Sequence, residues 1–419
     1  MEDIFNPVIT AEQANAVRES AGTPAYVYSE AVLCARASEV LAFPAPFGFK
    51  ARFAMKACPN AAILRLFHGM GIGFDASSAF EARRLIMAGI PAGEISLSSQ
   101  ELPADLEALV REGVRYDACS LRQLEAYGKL FPGSEVSLRV NPGLGSGHSQ
   151  RTNVGGPSSS FGIWHERLPE VLELCARYKL RITVMHTHIG SGADPDVWAR
   201  VAKMNLETVR KLPDVHTLNM GGGFKIARVR GEKQTDLQKT GAVVAESLRE
   251  FAKETGREIA LEIEPGTYLA AQAGAVVSTI QDLAFTGEGG YNFLKLDTGM
   301  TELLRPSLYG AQHNIRVYPA HDTGRTLPYL VVGHCCESGD ILTPAAGDPE
   351  GLAPRELPEA AIGDICVIEG AGAYCAAMPA KNYNSFPEAP ELLLRRDGTL
   401  VTIRRRQTLA QMVGNEIPL

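Results

Sequence analysis

The 419-residue sequence has eight cysteines (Cys34, Cys58, Cys119, Cys175, Cys335, Cys336, Cys366 and Cys375) but no C-x-x-C pair and no dense cysteine framework. In a chain this long they read as reduced intracellular thiols. No apolar run approaches the roughly 18 residues needed to span a bilayer. The first twenty residues, MEDIFNPVITAEQANAVRES, carry acidic side chains and no apolar core, so no secretory signal is expected. A cytoplasmic chain without membrane partners is the expectation. Positive charge is not in excess either: 41 Lys+Arg against 48 Asp+Glu leave a net charge of −7. That balance argues against a nucleic-acid partner, whose backbone phosphates would call for a basic surface. Internal repeats and low-complexity tracts are also missing.

What is present is the ordinary material of a globular protein that buries a core, with 45% hydrophobic and 21% charged residues. From about residue 47 to 266, short strand-like runs alternate with amphipathic helical stretches. The strands are FKARFAMKA (49–57), GIGFDASS (71–78), EISLSS (94–99), RYDACS (115–120), EVSLRVNP (135–142), RITVMHTH (181–188), HTLNMGG (216–222) and EIALEIE (258–264). Strands separated by helices imply parallel βαβ units, and eight of them predict an α/β fold of the (β/α)8 TIM-barrel type. After about residue 275 strands follow one another through short turns, with Asp397-Gly398 as a hairpin signal. The expected division is a barrel over 30–275 and a β-domain built from 1–29 and 276–419. GLGSGHSQRTNVGGPSSSFG (143–162) reads as a long flexible loop after the fifth strand.

In a barrel of this type, reactive residues gather at the C-terminal strand ends. Those ends carry Lys56, Asp75, Ser98, Arg139, His188, the run Gly221-Gly222-Gly223, and Glu264 before Pro265-Gly266-Thr267. Lys56 lies in the otherwise apolar run FAMKA. It is either a lysine snorkelling from a strand end or an amine whose pKa falls in an apolar mouth, as a Schiff-base nucleophile requires. The glycine run is either a turn or bare backbone for a phosphate, and its place after strand seven is where barrel phosphate sites fall. His186 and His188 form an H-x-H on one strand. They read as a packed pair, as metal ligands, or with His188 stacked on a heterocycle. No third metal ligand stands nearby among the strand ends, so no metal is expected. In the β-domain, Cys335-Cys336-Glu337-Ser338-Gly339-Asp340 is a strand ending in a turn or a cysteine acid followed by carboxylates. Gly370-Ala371-Gly372-Ala373-Tyr374 is a bend with a core tyrosine or a phenol reaching an anion.

Together the segments FAMKAC, GFDASS, RVNP, HTHIGSG, NMGGGF, EPG, DTGMTELLRPSLYGAQH, CCESGD, GAGAY and KNYNSFP run through nearly the whole chain. In number and order they resemble the fold-type III pyridoxal-phosphate decarboxylases, most closely the meso-diaminopimelate decarboxylases. The resemblance implies a barrel plus β-domain assembled as a homodimer with active sites shared between chains. It implies pyridoxal 5'-phosphate as cofactor, held by Lys56 as a Schiff base, with Glu264 on the pyridine nitrogen and His188 on the ring face. Asp75, Arg139, Ser191, Gly221, Gly222, Gly223, Pro265, Gly266, Thr267 and Tyr374 would surround the cofactor and its phosphate. Arg305, Tyr309, Glu337 and Tyr374 would contact an amino-acid substrate. Cys336, arriving from the other subunit, would protonate the carbanion left by CO2 loss. The implied reaction converts meso-2,6-diaminopimelate to L-lysine and CO2, the last step of lysine biosynthesis.

One position departs from the family pattern. Its usual E-P-G-R carries a substrate-binding arginine where this chain has Thr267, and Arg151 in the 143–162 loop is a candidate for the missing charge. A decarboxylase of the same fold acting on another basic amino acid, such as D-ornithine, D-lysine or a polyamine precursor, is the nearest rival reading. From other classes, a metal-dependent amidohydrolase would use His186 and His188, but its H-x-H belongs on the first barrel strand. A non-catalytic decarboxylase-like regulator would have no need of both Lys56 and Cys336.

Overall fold

The computed structural model describes residues 6–145 and 154–417. The chain divides into two compact units, one of Arg36–Ile226 and Lys233–Leu269, the other of Met1–Ala35, Ala227–Glu232 and Ala270–Leu419. Arg151 lies outside the described residues, as do the other seven positions of 146–153. Among the described residues, no helix is long and apolar enough to cross a membrane.

The first unit is a closed barrel of eight parallel strands. They are β1 (Phe49–Ala54), β2 (Gly73–Ala76), β3 (Ile95–Leu97), β4 (Arg115–Ala118), β5 (Glu135–Asn141), β6 (Arg181–His186), β7 (Thr217–Asn219) and β8 (Ala260–Ile263). Each pairs with the next, and β8 returns to β1 through Leu261 opposite Phe49 and Ile263 opposite Ala51. Full closure leaves no open sheet edge, which is why short strands of three to seven residues suffice. The observed strands are shorter than the sequence runs because several C-terminal ends turn away as loops. Met55–Ala57, which includes Lys56, is a 3₁₀ turn rather than strand.

Local chemistry sets where the helices begin. The side chains of Asn60, Ser78, Ser120, Asp194 and Asp236 each accept a hydrogen bond from a backbone N–H of the following first turn. Each cap satisfies a donor that the helix cannot, worth about 1 kcal/mol. The sequence therefore punctuates the βα units at their active ends, and the apolar helix faces close over the barrel. Trp198, Val201 and Leu206 of the helix Pro195–Arg210 are buried, as are Val244, Leu248 and Phe251 of Leu237–Thr255.

A buried ion cluster ties opposite walls of the barrel. Glu262 on β8 accepts from Arg52 Nε at 3.1 Å and Nη2 at 3.0 Å on β1, and from Arg115 Nη1 at 2.9 Å on β4. Burial alone would raise the Glu262 carboxyl, but the two guanidiniums outweigh it and hold it down at about 2.

The second unit is an antiparallel-rich β-domain around the long strand Gly274–Phe285. Its first half pairs with Ala25–Ser29 and Ile365–Glu369, and its second half with Asn292–Leu296. Ala25–Ser29, from before the barrel, joins this sheet and also runs parallel to Glu391–Leu394. The Asp397-Gly398 hairpin forms, with Gly398 at φ +86°. Three elements escaped the sequence reading: Ile315–Tyr318, Arg355–Pro358 and the two-stranded Pro344–Ala345/Asp348–Leu352. The first two have only four residues each, and none has a long alternating run. Ile9, Val17, Val27, Val277, Val367 and Leu392 form the core between the N-terminal helix Ala11–Ala21 and the sheet.

Glu262→Gln leaves two buried guanidiniums short of a counter-charge, so we expect a loss of about 3–5 kcal/mol in denaturant unfolding. Because its folded pKa lies below the unfolded value of about 4.3, the wild-type contribution is present above that value. It is lost as pH falls from there through about 2. Acid unfolding should be less steep in the variant.

Candidate active site

The C-terminal end of the barrel concentrates titratable groups. The 3₁₀ turn after β1 sets Lys56 beside β2, where its Nζ donates to Ser77 Oγ at 3.0 Å and stands 3.9 Å from Asp75 Oδ2. The Lys56 side chain is 44% exposed while Asp75 is buried, so the amine is the accessible member of the pair. Asp75 also accepts from Ser98 Oγ at 3.0 Å. Burial, and then the like charge of Glu264, push the Asp75 carboxyl up to about 7 against the pull of Lys56 and His186.

Across the barrel lies a chain of side chains. Ser137 donates to Asp117 Oδ1, and Asp117 Oδ2 lies 2.8 Å from His186 Nδ1. His186 Nε2 is at ion-pair distance, 3.3 Å, from Glu264 Oε2, and Asn219 Nδ2 donates to Glu264 Oε1 at 2.6 Å. Burial alone would lower His186, but the carboxylates on either side overcome it and raise the imidazole to about 9. In the reverse direction, burial would raise Glu264, yet His186 and Asn219 hold it far below the usual carboxylate range. Glu264 is therefore an ionised carboxylate in a buried place, which only a charged partner makes tolerable.

This arrangement bears on the H-x-H pair. Potential ligand atoms of Asp117, His186 and Glu264 all fall within 4.8 Å of one another, a group that contains His186 but not His188. The strand-end survey missed it because it passed over the fourth strand. Flanked by two carboxylates, the imidazole favours its protonated form, with Nδ1 toward Asp117 and Nε2 toward Glu264. The cluster reads as an ion-paired relay that fixes Glu264.

His188, two residues on, behaves oppositely. Burial, then the charges of Arg139 and Lys56, depress it well below the ordinary histidine range, so its ring is neutral. Its buried Nδ1 has no hydrogen-bond partner among the described residues. Arg139 is buried, with its guanidinium 5.1 Å from the Phe161 ring centre. Gly221 and Gly223 have φ of +69° and +99°. A Cβ at Gly221 would lie 2.7 Å from His188 Cβ, and one at Gly223 would overlap the Gly190 carbonyl beside Ser191. Glycine here lets the loops after β6 and β7 lie backbone to backbone. The N–H groups of Gly222 and Gly223 meet no acceptor among the described residues. Pro265 O accepts from Ala54 N at 3.4 Å, and after Gly266, Thr267 opens the short helix Thr267–Ala270.

These features fit pyridoxal phosphate. Lys56 offers an accessible amine for its aldehyde, Glu264 a fixed negative charge for a protonated ring nitrogen, and His188 a neutral ring with an unsatisfied atom. Gly222 and Gly223 offer two open backbone donors for its phosphate. Asp117, Asn219 and Ser137 were missed by the sequence reading. Their signal was a polar side chain inside a run that is otherwise strand-like and apolar.

Within the β-domain, Arg305 and Tyr309 share the short helix Leu304–Tyr309, with the guanidinium 5.8 Å from the Tyr309 ring centre. Cys336 is exposed, and its backbone N–H donates to Asn384 Oδ1 at 2.8 Å. Its turn is held by Asp340, whose carboxylate accepts from Met300 N at 2.6 Å and Cys335 N at 2.9 Å. Glu337 Oε1 accepts from Gly339 N at 3.1 Å. Tyr374 takes a left-handed φ of +58° after the Gly370–Gly372 bend.

The His186 shift carries a pH signature. Its folded pKa, about 9, lies above the unfolded value of about 6.5. Its stabilising contribution is complete below about pH 6.5 and is lost as pH rises through about 9. Thermal unfolding of wild type should weaken over that window, and His186→Gln should lose that dependence.

The comparisons agree with this chemistry. The model of the pyridoxal-dependent decarboxylase family's pyridoxal-binding domain matches residues 34–271. Diaminopimelate decarboxylase of Escherichia coli (strain K12) is 34% identical, with 98% of this chain and 97% of that protein covered. The enzyme of that name from Streptomyces coelicolor is 35% identical over 94% of this chain and 90% of its own length. A crystal structure of diaminopimelate decarboxylase superposes with a TM-score of 0.90 at 32% identity, covering 99% of both chains. The family-model match and the near full-length relatives together place this chain in the pyridoxal-dependent decarboxylase family, among proteins of the diaminopimelate decarboxylase type.

Proposed function

We propose that this protein removes CO2 from meso-2,6-diaminopimelate to yield L-lysine, with pyridoxal 5'-phosphate bound at the barrel mouth. The observation that carries the reading is the accessible Lys56 amine beside Asp75, at the same strand ends as a Glu264 kept ionised by His186. When bound, the cofactor supplies a conjugated ring that accepts the electron pair freed as the Cα–CO2⁻ bond breaks.

In this reading Lys56 is the point of covalent attachment, and Glu264 keeps a proton on the ring nitrogen. The neutral His188 ring would pack against the cofactor ring. Asp75 and Arg139 complete the charge pattern around the ring, and Ser191, Gly221, Gly222, Gly223, Pro265, Gly266, Thr267 and Tyr374 hold the cofactor and its phosphate. Arg305, Tyr309, Glu337 and Tyr374 contact the substrate. The Cys336 thiol delivers a proton to the substrate's Cα after CO2 leaves. An exposed Cys336 supports its presentation to a second copy of the chain, hence a homodimer with shared active sites. Eight free cysteines support a reducing, cytoplasmic setting. Thr267, where the family's usual arginine stands, favours a second reading in which the substrate is another basic amino acid.

CO2 release from a panel of amino acids tests the assignment, and no turnover of meso-diaminopimelate would sink it. Lys56→Ala should abolish both activity and the visible absorbance of the bound cofactor. Cys336→Ala should keep that absorbance while kcat falls about 10²–10⁴-fold, the usual range for a lost general acid. Mixing the two inactive variants separates the dimer proposal from the chemistry. Random exchange of subunits leaves one intact site in half of the dimers, so about a quarter of wild-type activity should return. No recovery despite exchange would exclude sites shared between chains.

A further inference from the structure

One cation of the β-domain, Arg228, is not used by the scheme above. Ala227–Glu232, which follow the glycine run in sequence, belong by their contacts to the β-domain unit. This excursion is pinned there. Gln272 Nε2 donates to Ala227 O at 2.7 Å, Arg228 Nε donates to Gly370 O at 3.0 Å, and the Arg228 backbone N–H donates to Glu232 Oε2 at 2.7 Å. Gly370, at φ +69°, lies so close to Arg228 that an added Cβ would sit 3.0 Å from Arg228 Cγ.

The pinning holds a guanidinium where positive charge is already present. Arg228 and Arg305 repel one another, and burial followed by that repulsion lowers Arg228 to about 9. Arg228 Nη2 and Arg305 Nε are buried atoms with no hydrogen-bond partner among the described residues. Glu232, whose Oε2 accepts from the Arg228 backbone N–H, pulls the other way without restoring the ordinary value.

His313 is an independent witness to the same potential. It is 3% exposed, and its Nδ1 lies 2.9 Å from Glu369 O, an acceptor, so Nδ1 carries the proton. Its Nε2 has no partner among the described residues. Burial, then Arg228 and Arg305, lower this imidazole to about 3. Buried guanidinium donor atoms left unpaired are costly unless a ligand completes them. Both arginines remain partly exposed, so a small anion can reach them.

We propose that Arg228 and Arg305, backed by His313, form an oxyanion-binding site, with Arg228 as a ligand-binding residue that the family pattern does not supply. The ligand chemistry is a carboxylate or phosphate oxyanion held by charge-assisted hydrogen bonds. Its source is a carboxylate of the amino-acid substrate or the cofactor's phosphate. The identity of those two sources rests on the decarboxylase reading, whereas the site itself does not.

The test compares Arg228→Met and Arg228→Lys with wild type in three measurements. These are steady-state kinetics of the holoenzyme, cofactor affinity by absorbance titration of the full-length chain, and calorimetric binding of glutarate and of inorganic phosphate. If the substrate carboxylate is the ligand, Arg228→Met raises KM about tenfold to a hundredfold with little change in kcat. It also abolishes glutarate binding and leaves cofactor affinity intact. If the phosphate is the ligand, cofactor affinity falls by a similar factor and binding of inorganic phosphate is lost. Arg228→Lys keeps the charge but not the fork, and should show the same pattern at smaller amplitude. Unchanged KM, cofactor affinity and anion binding in Arg228→Met would overturn the site. Should that variant fail to fold, the same null result in Arg228→Lys, or the absence of anion binding to wild type, does so. Binding of glutarate that depends on Arg228, in a protein that does not turn over meso-diaminopimelate, would remove the proposed substrate and leave the site standing.

Discussion

The barrel mouth depends on one interaction, the protonated His186 held between Asp117 and Glu264. Without that cation, burial and mutual repulsion would drive the Asp75 and Glu264 carboxyls toward neutrality. With it, Glu264 stays ionised, while burial and then repulsion from Glu264 raise Asp75. The asymmetry sorts two chemically similar side chains into different tasks. One is a fixed charge suited to a ring nitrogen, the other a titratable neighbour of the Lys56 amine.

Backbone geometry supports that electrostatic arrangement. The loops after β6, β7 and β8 meet at distances that leave no room for side chains, so glycine stands at 221 and 223. The Glu264 N–H donates to Gly221 O at 2.8 Å, which ties the carboxylate's own backbone to the glycine run. Anion-ready backbone and acid-bearing strand end are therefore one packed structure. Two residues earlier, the Arg52–Glu262–Arg115 cluster uses β8 to hold the barrel walls together. Glu262 on β8 and Glu264 just past its end share an inward direction because side chains two apart on extended backbone point the same way. The first serves stability and the second function.

Much of this was legible beforehand, for identifiable reasons. Alternation of short apolar runs with amphipathic helices has a period that survives in one dimension, so eight strands and a barrel could be counted. Lys56, Asp75, Arg139, His188 and Glu264 stood out because charges at strand ends are unusual in apolar company. Asp117 and Asn219 did not. Each matters through a partner 45 or more positions away, His186 for Asp117 and Glu264 for Asn219. Arg228 was invisible for a related reason. Its segment follows a barrel strand in sequence, yet its contacts lie with the β-domain.

The sequence by itself determined the order of elements, the caps that start the barrel helices, the glycines and the identity of the amine. These are local properties, set by a residue and its near neighbours. Only the tertiary structure decided which carboxylate is ionised, why the H-x-H is split into one charged and one neutral histidine, and which arginines lack a counter-charge. Those outcomes depend on burial and on distances between residues far apart in the chain, and proton affinity responds to both.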